Sequence, residues 1–315
     1  MKRIVYSVLL LFFALSINFI IFRMAPGDPI QVVASGSRLE PEMVQRLIEL
    51  WGLNEPLNVQ YIRYLQSTLT WDFGYSFYSL EPVGRELMER LPNTLILMGV
   101  SLIFAAGFGT LFGIYAAYKR GSLYDVTVVS VSLFSYALPT FWMGLLMIYI
   151  FGYVFAIFPL AGTMSRPPPL DPILKIFDLA WHLFLPALTL FLFSYGNWLL
   201  MMRSTILEVL HEDYITTARA KGATERSVLF RHAFRNAMLP LVTNIALTIP
   251  GILSGAILTE TVFSWRGLGL YTWNAIQFND YPVLQALFFM FALVTVLANL
   301  IVDIIYGLID PRIRY

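Results

Sequence analysis

The side chains from which hydrolytic and metal centres are built are scarce in this 315-residue chain. There is no cysteine, which removes disulfides, thiolate nucleophiles and Cys-ligated metal. Histidine occurs three times, at His182, His211 and His232. His182 starts an apolar stretch and reads as an interfacial side chain. The other two sit in a charged segment, where surface or docking roles suit them. Asp303 is the one acid well inside an apolar stretch, beside Asn299 and near its end; it is expected to reach the membrane interface or to pair with a base. No Gly-x4-Gly-Lys-Ser/Thr phosphate cradle occurs. No catalytic residue, metal site or cofactor is therefore expected on this chain. If ATP drives its activity, another chain must hydrolyse it.

Two constellations remain. The first is the segment 203–236, RSTILEVLHEDYITTARAKGATERSVLFRHAFRN, with six Lys/Arg and four Asp/Glu. Asp213 can cap a helix running to about Lys221. Gly222 suits its end, where a left-handed residue is needed. A second helix is expected from Thr224. An exposed short helix carrying Ala218 and Ala220 can enter a partner's groove, because small side chains permit close approach; an ordinary amphipathic connector is the alternative. The second constellation is a polar and small face on one apolar stretch: Asn244, Thr248, Gly251, Gly255 and Thr259. It could line a pathway or simply pack. Ala105, Gly109, Gly113 and Ala117 recur every four residues on another stretch, the pattern of close helix packing in a membrane.

The elements that hold these residues are apolar. Hydrophobic residues make up 58% of the chain and charged residues 13%, about half the roughly 25% of a soluble domain. This excludes disorder and disfavours a soluble enzyme. A net charge of +1 gives no sign of nucleic-acid binding. A spanning helix needs about 20 apolar residues, and six stretches qualify: 4–22, 94–118, 126–151 (extensible to 158), 183–202, 237–258 and 283–308. Pro139, Pro186 and Pro250 fall inside the third, fourth and fifth and tend to kink them. The first stretch is too long for a secretory signal and lacks a convincing cleavage site, so a retained helix is expected. With the amino terminus inside, twelve Lys/Arg fall on the cytoplasmic side, while the short outer loops carry Arg166, Lys175 and Arg266. Both termini are then cytoplasmic.

The expected organisation is a transmembrane helix at 1–22, an extracytoplasmic helical cap at 23–92, and a five-helix core at 93–315 containing the cytoplasmic loop 203–236. Helical spacing places cap helices at 41–51, 59–69 and 82–91; helices lying on the membrane interface are the alternative. An ion-driven secondary transporter would show inverted repeats and intramembrane charges, and a membrane-embedded enzyme would show convergent titratable groups. The sequence has neither.

Particular motifs resemble those of binding-protein-dependent ABC importer permeases, in the dipeptide, oligopeptide and nickel branch. Tyr214-Ile-Thr-Thr-Ala-Arg-Ala-Lys-Gly222 resembles the importer signature Glu-Ala-Ala-x3-Gly, with Thr216 and Thr217 at its first two positions. It is followed by Arg231-His-Ala-Phe-Arg-Asn-Ala-Met-Leu-Pro240. Ala25-Pro-Gly-Asp-Pro29, Trp51-Gly-Leu-Asn-Glu-Pro56, Trp71-Asp-Phe-Gly-Tyr-Ser76, Pro92-Asn-Thr94, Glu260-Thr-Val-Phe-Ser-Trp-Arg-Gly-Leu-Gly269, Asn279-Asp-Tyr-Pro282 and Asp310-Pro-Arg-Ile-Arg314 agree in order. Trp265-Arg266 departs from the family, where a proline is frequent before the glycine. The likeness is to the first permease of such systems, with its long outer loop after helix one. It implies an all-α, six-helix, type I importer permease in a prokaryotic inner membrane. It further implies a second homologous permease, two ATP-binding subunits that carry ATP and Mg, and an extracytoplasmic substrate-binding protein. Asp213, Tyr214, Thr217, Ala218, Arg219, Ala220, Lys221 and Gly222 would form the helix seated on an ATPase. Di- and oligopeptides are the implied cargo, with nickel chelates and oligosaccharides as alternatives.

Overall fold

The computed structural model describes residues 2–24, 42, 45, 49, 54–254 and 257–309. The expected cap helix at 41–51 falls, but for three of its residues, outside the described residues, as does Gly255. Twelve helices are named here: α1 (Lys2–Met24), α2 (Leu57–Leu69), α3 (Val83–Tyr118), α4 (Leu123–Ala137), α5 (Thr140–Met147), α6 (Pro172–Val209), α7 (Asp213–Ala220), α8 (Glu225–Ser227), α9 (Phe234–Ser254), α10 (Ile257–Val262), α11 (Leu268–Gln277) and α12 (Tyr281–Ile309). Wider π-helical turns, Ile148–Val154 and Val228–Ala233, follow α5 and α8. The β pairing among the described residues is an isolated bridge, Tyr75 to Pro82.

Among the described residues, four helices are long and apolar enough to cross a membrane: α1, α3, α6 and α12. The third predicted stretch is broken. Leu138 is extended (φ −82°, ψ 134°), because the residue before a proline is pushed out of the helical region. Pro139, itself extended at ψ 134°, is the N-cap of α5, and the two segments bend by 103°. That is a break where a kink was expected. Pro92 does the reverse. The expected cap helix 82–91 and the span from 94 are one continuous helix of 36 residues with Pro92 inside it. Pro186 is likewise carried within the 38-residue α6. The fifth stretch corresponds to α9, 21 residues long, and ends before Leu258. The sixth corresponds to α12.

The chain divides into two compact units, 1–94 with 253–257 and 266–315, and 95–252 with 258–265. In the first, α1 lies along α12. Asn18 ties them by donating to the Gln285 carbonyl at 3.0 Å. Leu15, Phe73, Leu87, Leu268, Val283 and Leu287 form its core. In the second, α4 and α5 pack on α6, and α3 lies against α6 through the small stripe. A Cβ on Gly109 would stand 2.6 Å from the Tyr195 carbonyl, and one on Gly113 2.5 Å from the Leu199 carbonyl. Glycine is thus required at both places. Without water to drive association, such backbone-to-backbone approach is what holds membrane helices together.

Candidate functional site

The segment 203–236 forms the expected helix, sharp turn and helix. Helix α7 is short and ends in a Schellman motif. The Gly222 N–H donates to the Arg219 carbonyl at 2.9 Å and the Ala223 N–H to the Ala218 carbonyl at 3.2 Å. These are the two bonds of that motif, and they require the left-handed φ of +81° that Gly222 adopts. Thr224 caps the next helix by accepting the Ser227 N–H at 3.3 Å. Arg219 clamps the turn, donating to both oxygens of Glu225 at 2.9 and 3.3 Å. Tyr214 Oη accepts from Asn236 Nδ2 at 2.6 Å, tying α7 to the start of α9.

One side chain fastens α7 to the permease body. Ile215 is fully buried in a cluster with Ile114 and Ala117 of α3, Met202 and Ile206 of α6, and Val228, Leu229, Ala233 and Ala237. Three long helices therefore meet α7 at their ends. Asp125 and Arg203 reinforce this end, with bidentate bonds of 2.7 and 2.9 Å between the start of α4 and the last third of α6. Opposite Ile215, Asp213, Tyr214, Thr216, Thr217, Ala220, Lys221 and Gly222 are exposed.

Two expectations for this segment need correction. Asp213 is not the cap. Glu212 precedes the helix without a side-chain cap bond, and Asp213 is its first residue, its carbonyl accepting from Thr217 Oγ1 at 3.1 Å. Ala218 is 9% exposed, so its small side chain lets α7 lie against its own chain. Ala220 is the small residue that faces outward.

Three residues of the polar and small face, Asn244, Thr248 and Thr259, have described side chains. Asn244 Nδ2 lies 3.0 Å from Met201 Sδ, and Thr248 Oγ1 donates to the Asn244 carbonyl at 2.8 Å. Asn244 thus touches α6, Thr248 bonds within its own helix, and both are half-buried. Thr259 is buried on α10, beyond the end of α9. The side chain at 251 and all of Gly255 lie outside the described residues. Elsewhere, His182 is buried, with Nδ1 on the Asp178 carbonyl at 2.8 Å. No His/Cys/Asp/Glu group able to hold a metal occurs among the described residues. The Asp303 side chain lies outside them.

Comparison with known proteins then places the chain. The family model described as binding-protein-dependent transport system inner membrane component matches residues 109–315, and the model of its N-terminal portion matches residues 1–98. The chain belongs to this family. It is 39% identical over 316 residues to the dipeptide transport system permease protein DppB of Escherichia coli K12, covering 95% of this chain and 93% of that one. It is 38% identical over 320 residues to the oligopeptide transport system permease protein AppB of Bacillus subtilis 168, covering 100% and 98%. A solved structure of the MetNI methionine ABC transporter in inward-facing conformations shares the fold, with a TM-score of 0.54 at 17% identity, covering 71% of this chain and 96% of that one. The chain is thus a multi-pass membrane permease component, not an ATPase.

The fold also explains motifs of this permease that spacing alone could not. Asp280, from Asn279-Asp-Tyr-Pro282, accepts from Ser76 Oγ at 2.5 Å and from the Phe77 and Tyr78 N–H groups at 3.1 and 3.3 Å. The Trp71–Ser76 motif is thereby pinned to the entry of α12. Burial pushes the Asp280 carboxyl above the usual carboxylate range, and the Ser76, Phe77, Tyr78 and Val283 donors pull it back. Asn93 Nδ2 donates to the Arg266 carbonyl at 2.7 Å and Thr94 Oγ1 accepts the Leu268 N–H at 2.7 Å, so Pro92-Asn-Thr94 holds the start of α11. Glu86 accepts from Tyr271 Oη at 2.7 Å and from Arg90 at 2.9 Å. The sequence signal for these pairs was their motif membership; their partners lie more than 170 residues away along the chain for Asp280, Asn93, Thr94 and Glu86.

Proposed function

We propose that this permease forms half of the translocation pathway of an ATP-driven peptide importer and that α7 is where the driving force enters. The observation that carries this reading is the anchoring of an eight-residue helix with one exposed face by Ile215 among the ends of α3, α6 and α9. A push on the exposed face of α7 is passed to three long helices rather than absorbed by a loop. Packed interfaces of this kind move as units, which converts a small displacement into helix tilt. The peptide assignment is supported by the relatives named as dipeptide and oligopeptide transport permeases.

The rest of the assembly follows from the same reading. A second, homologous permease completes the pathway. Two cytoplasmic ATP-binding subunits hold ATP and Mg, and their closure drives α7. A substrate-binding protein delivers cargo from outside. In this reading the chain has six spans, counting the bent α4–α5 pair and α9, and both termini lie in the cytoplasm of a prokaryotic cell, which the twelve Lys/Arg on that side support. Asp213, Tyr214, Thr217, Ala220, Lys221 and Gly222 contact an ATPase subunit, while Ala218 and Arg219 shape the helix. The test is co-expression with a homologous permease, ATP-binding subunits and a substrate-binding protein from the same cell, purification through this chain, and uptake of labelled dipeptides into proteoliposomes. Co-purified ATPase subunits and ATP-dependent uptake support the proposal; uptake that an uncoupler abolishes and ATP depletion spares would overturn it.

A further inference from the structure

The far end of α1 from the amino terminus forms part of a cavity of about 190 Å³ whose lining includes Arg23, Arg63, Tyr64, Asp72 and Gln285. Its charges are unequally matched. Arg63 is held by Glu55 at 3.1 Å in an exposed pair. Arg23 has no carboxylate partner among the described residues. Its guanidinium lies 5.5 Å from the centre of the Phe19 ring, and its Nε is buried without a hydrogen-bond acceptor. Taking a guanidinium out of water without an anion is unfavourable, and its planar fork matches a phosphate or carboxylate. Across the same cavity, Asp72 accepts the Gly74 N–H on one oxygen at 3.2 Å. Asp72 is exposed, and its carboxylate has no cationic partner among the described residues. One cavity thus presents a cationic and an anionic side chain, the complement of a zwitterion.

The surroundings specify which zwitterion. Arg23 closes the apolar span of α1, so the cavity sits at the level where headgroups lie. Ile17, Ile20 and Ile21, in the two turns before Arg23, are exposed and offer an apolar strip for an acyl chain. We propose that this cavity is a headgroup site for an aminophospholipid of the phosphatidylethanolamine type, with the phosphate on Arg23 and the ammonium on Asp72. The site is independent of the role given to α7.

The test uses the purified transport complex in nanodiscs and native mass spectrometry, with dioleoyl-phosphatidylethanolamine and dioleoyl-phosphatidylglycerol as competing probes. The expected result is one retained phosphatidylethanolamine, preferred about tenfold over phosphatidylglycerol. It is lost in Arg23→Gln and kept in Arg23→Lys, and the tenfold preference disappears in Asp72→Asn. Equal retention by Arg23→Gln overturns the proposal. Displacement by millimolar inorganic phosphate would indicate a free-anion site instead, and displacement by dialanine a cargo site. If Arg23→Gln does not assemble, Asp72→Asn decides, and an unchanged headgroup preference refutes the assignment.

Discussion

Gly222 offers a test in which conformation and size can be separated. It sits at φ +81°, and a Cβ built on it meets no atom within 4 Å. A side chain there clashes with nothing in the permease, so the cost is the left-handed backbone itself, about 1–2 kcal/mol for most residues and less for asparagine. Two hydrogen bonds, from the N–H groups of Gly222 and Ala223, depend on that conformation. A cost of about 1.4 kcal/mol shifts the balance between capped and frayed helix roughly tenfold. Gly222→Val is therefore expected to lower peptide uptake per ATP hydrolysed several-fold in proteoliposomes, with normal membrane insertion. Gly222→Asn, with a polar side chain that tolerates the left-handed region, is expected to keep most of the coupling. Equal loss in the two variants would show that bulk against the ATPase, not the helix end, matters at this position. Normal coupling in both would remove Gly222 from the mechanism.

Other consequences can be checked together. Ile215→Ala leaves a cavity at a fully buried site and is expected to cost about 2–5 kcal/mol, read as a lower thermal midpoint together with ATP hydrolysis that no longer drives uptake. Gly113→Leu forces α3 away from the Leu199 carbonyl, and its yield of folded, monodisperse protein should fall sharply, whereas Gly107→Leu, where a Cβ meets nothing within 4 Å, should express as wild type. Arg203→Ala strands a buried Asp125 and should destabilise by about 3–5 kcal/mol; Asp125→Asn combined with Arg203→Gln should recover part of that loss, and a double variant worse than either single one would argue against the pair. Asp280→Ala leaves the Ser76 hydroxyl and the Phe77 N–H unmatched at about 1–3 kcal/mol each, which limited proteolysis between residues 71 and 80 should detect.

The features that were legible in the sequence are those set by local chemistry. Gly222 and Thr224 mark the turn after α7 because backbone sign and side-chain capping are decided within four residues. The Ala105–Ala117 stripe foretold close approach because the spacing of small residues on a helix fixes which face they share. Proline was less readable. Pro139 breaks its helix while Pro92 and Pro186 do not, and the outcome depends on whether neighbouring packing keeps the flanking turns helical, which the proline itself does not state. The partners of the polar face of α9 were not readable either: Asn244 meets Met201, 43 residues away along the chain, and only the fold brings them together. Burial of Ala218 and exposure of Ala220 depend on the rotation of α7 about Ile215, which only the cluster of three helix ends determines. Asp125 and Arg203, 78 residues apart, could not be paired without the fold.

The claim that α7 carries the driving force can be tested at a single atom, because the chain has no native cysteine. Ala220→Cys places one thiol on the exposed face of α7. In the purified complex, a short bifunctional thiol–amine reagent on this variant should join the permease to an ATP-binding subunit, with a yield that changes between ATP-bound and nucleotide-free states. The same reagent on Gly107→Cys, also exposed but within the apolar span of α3, should give no such product. A thiol at 220 that is freely labelled and joins to no ATPase in any nucleotide state would contradict the account.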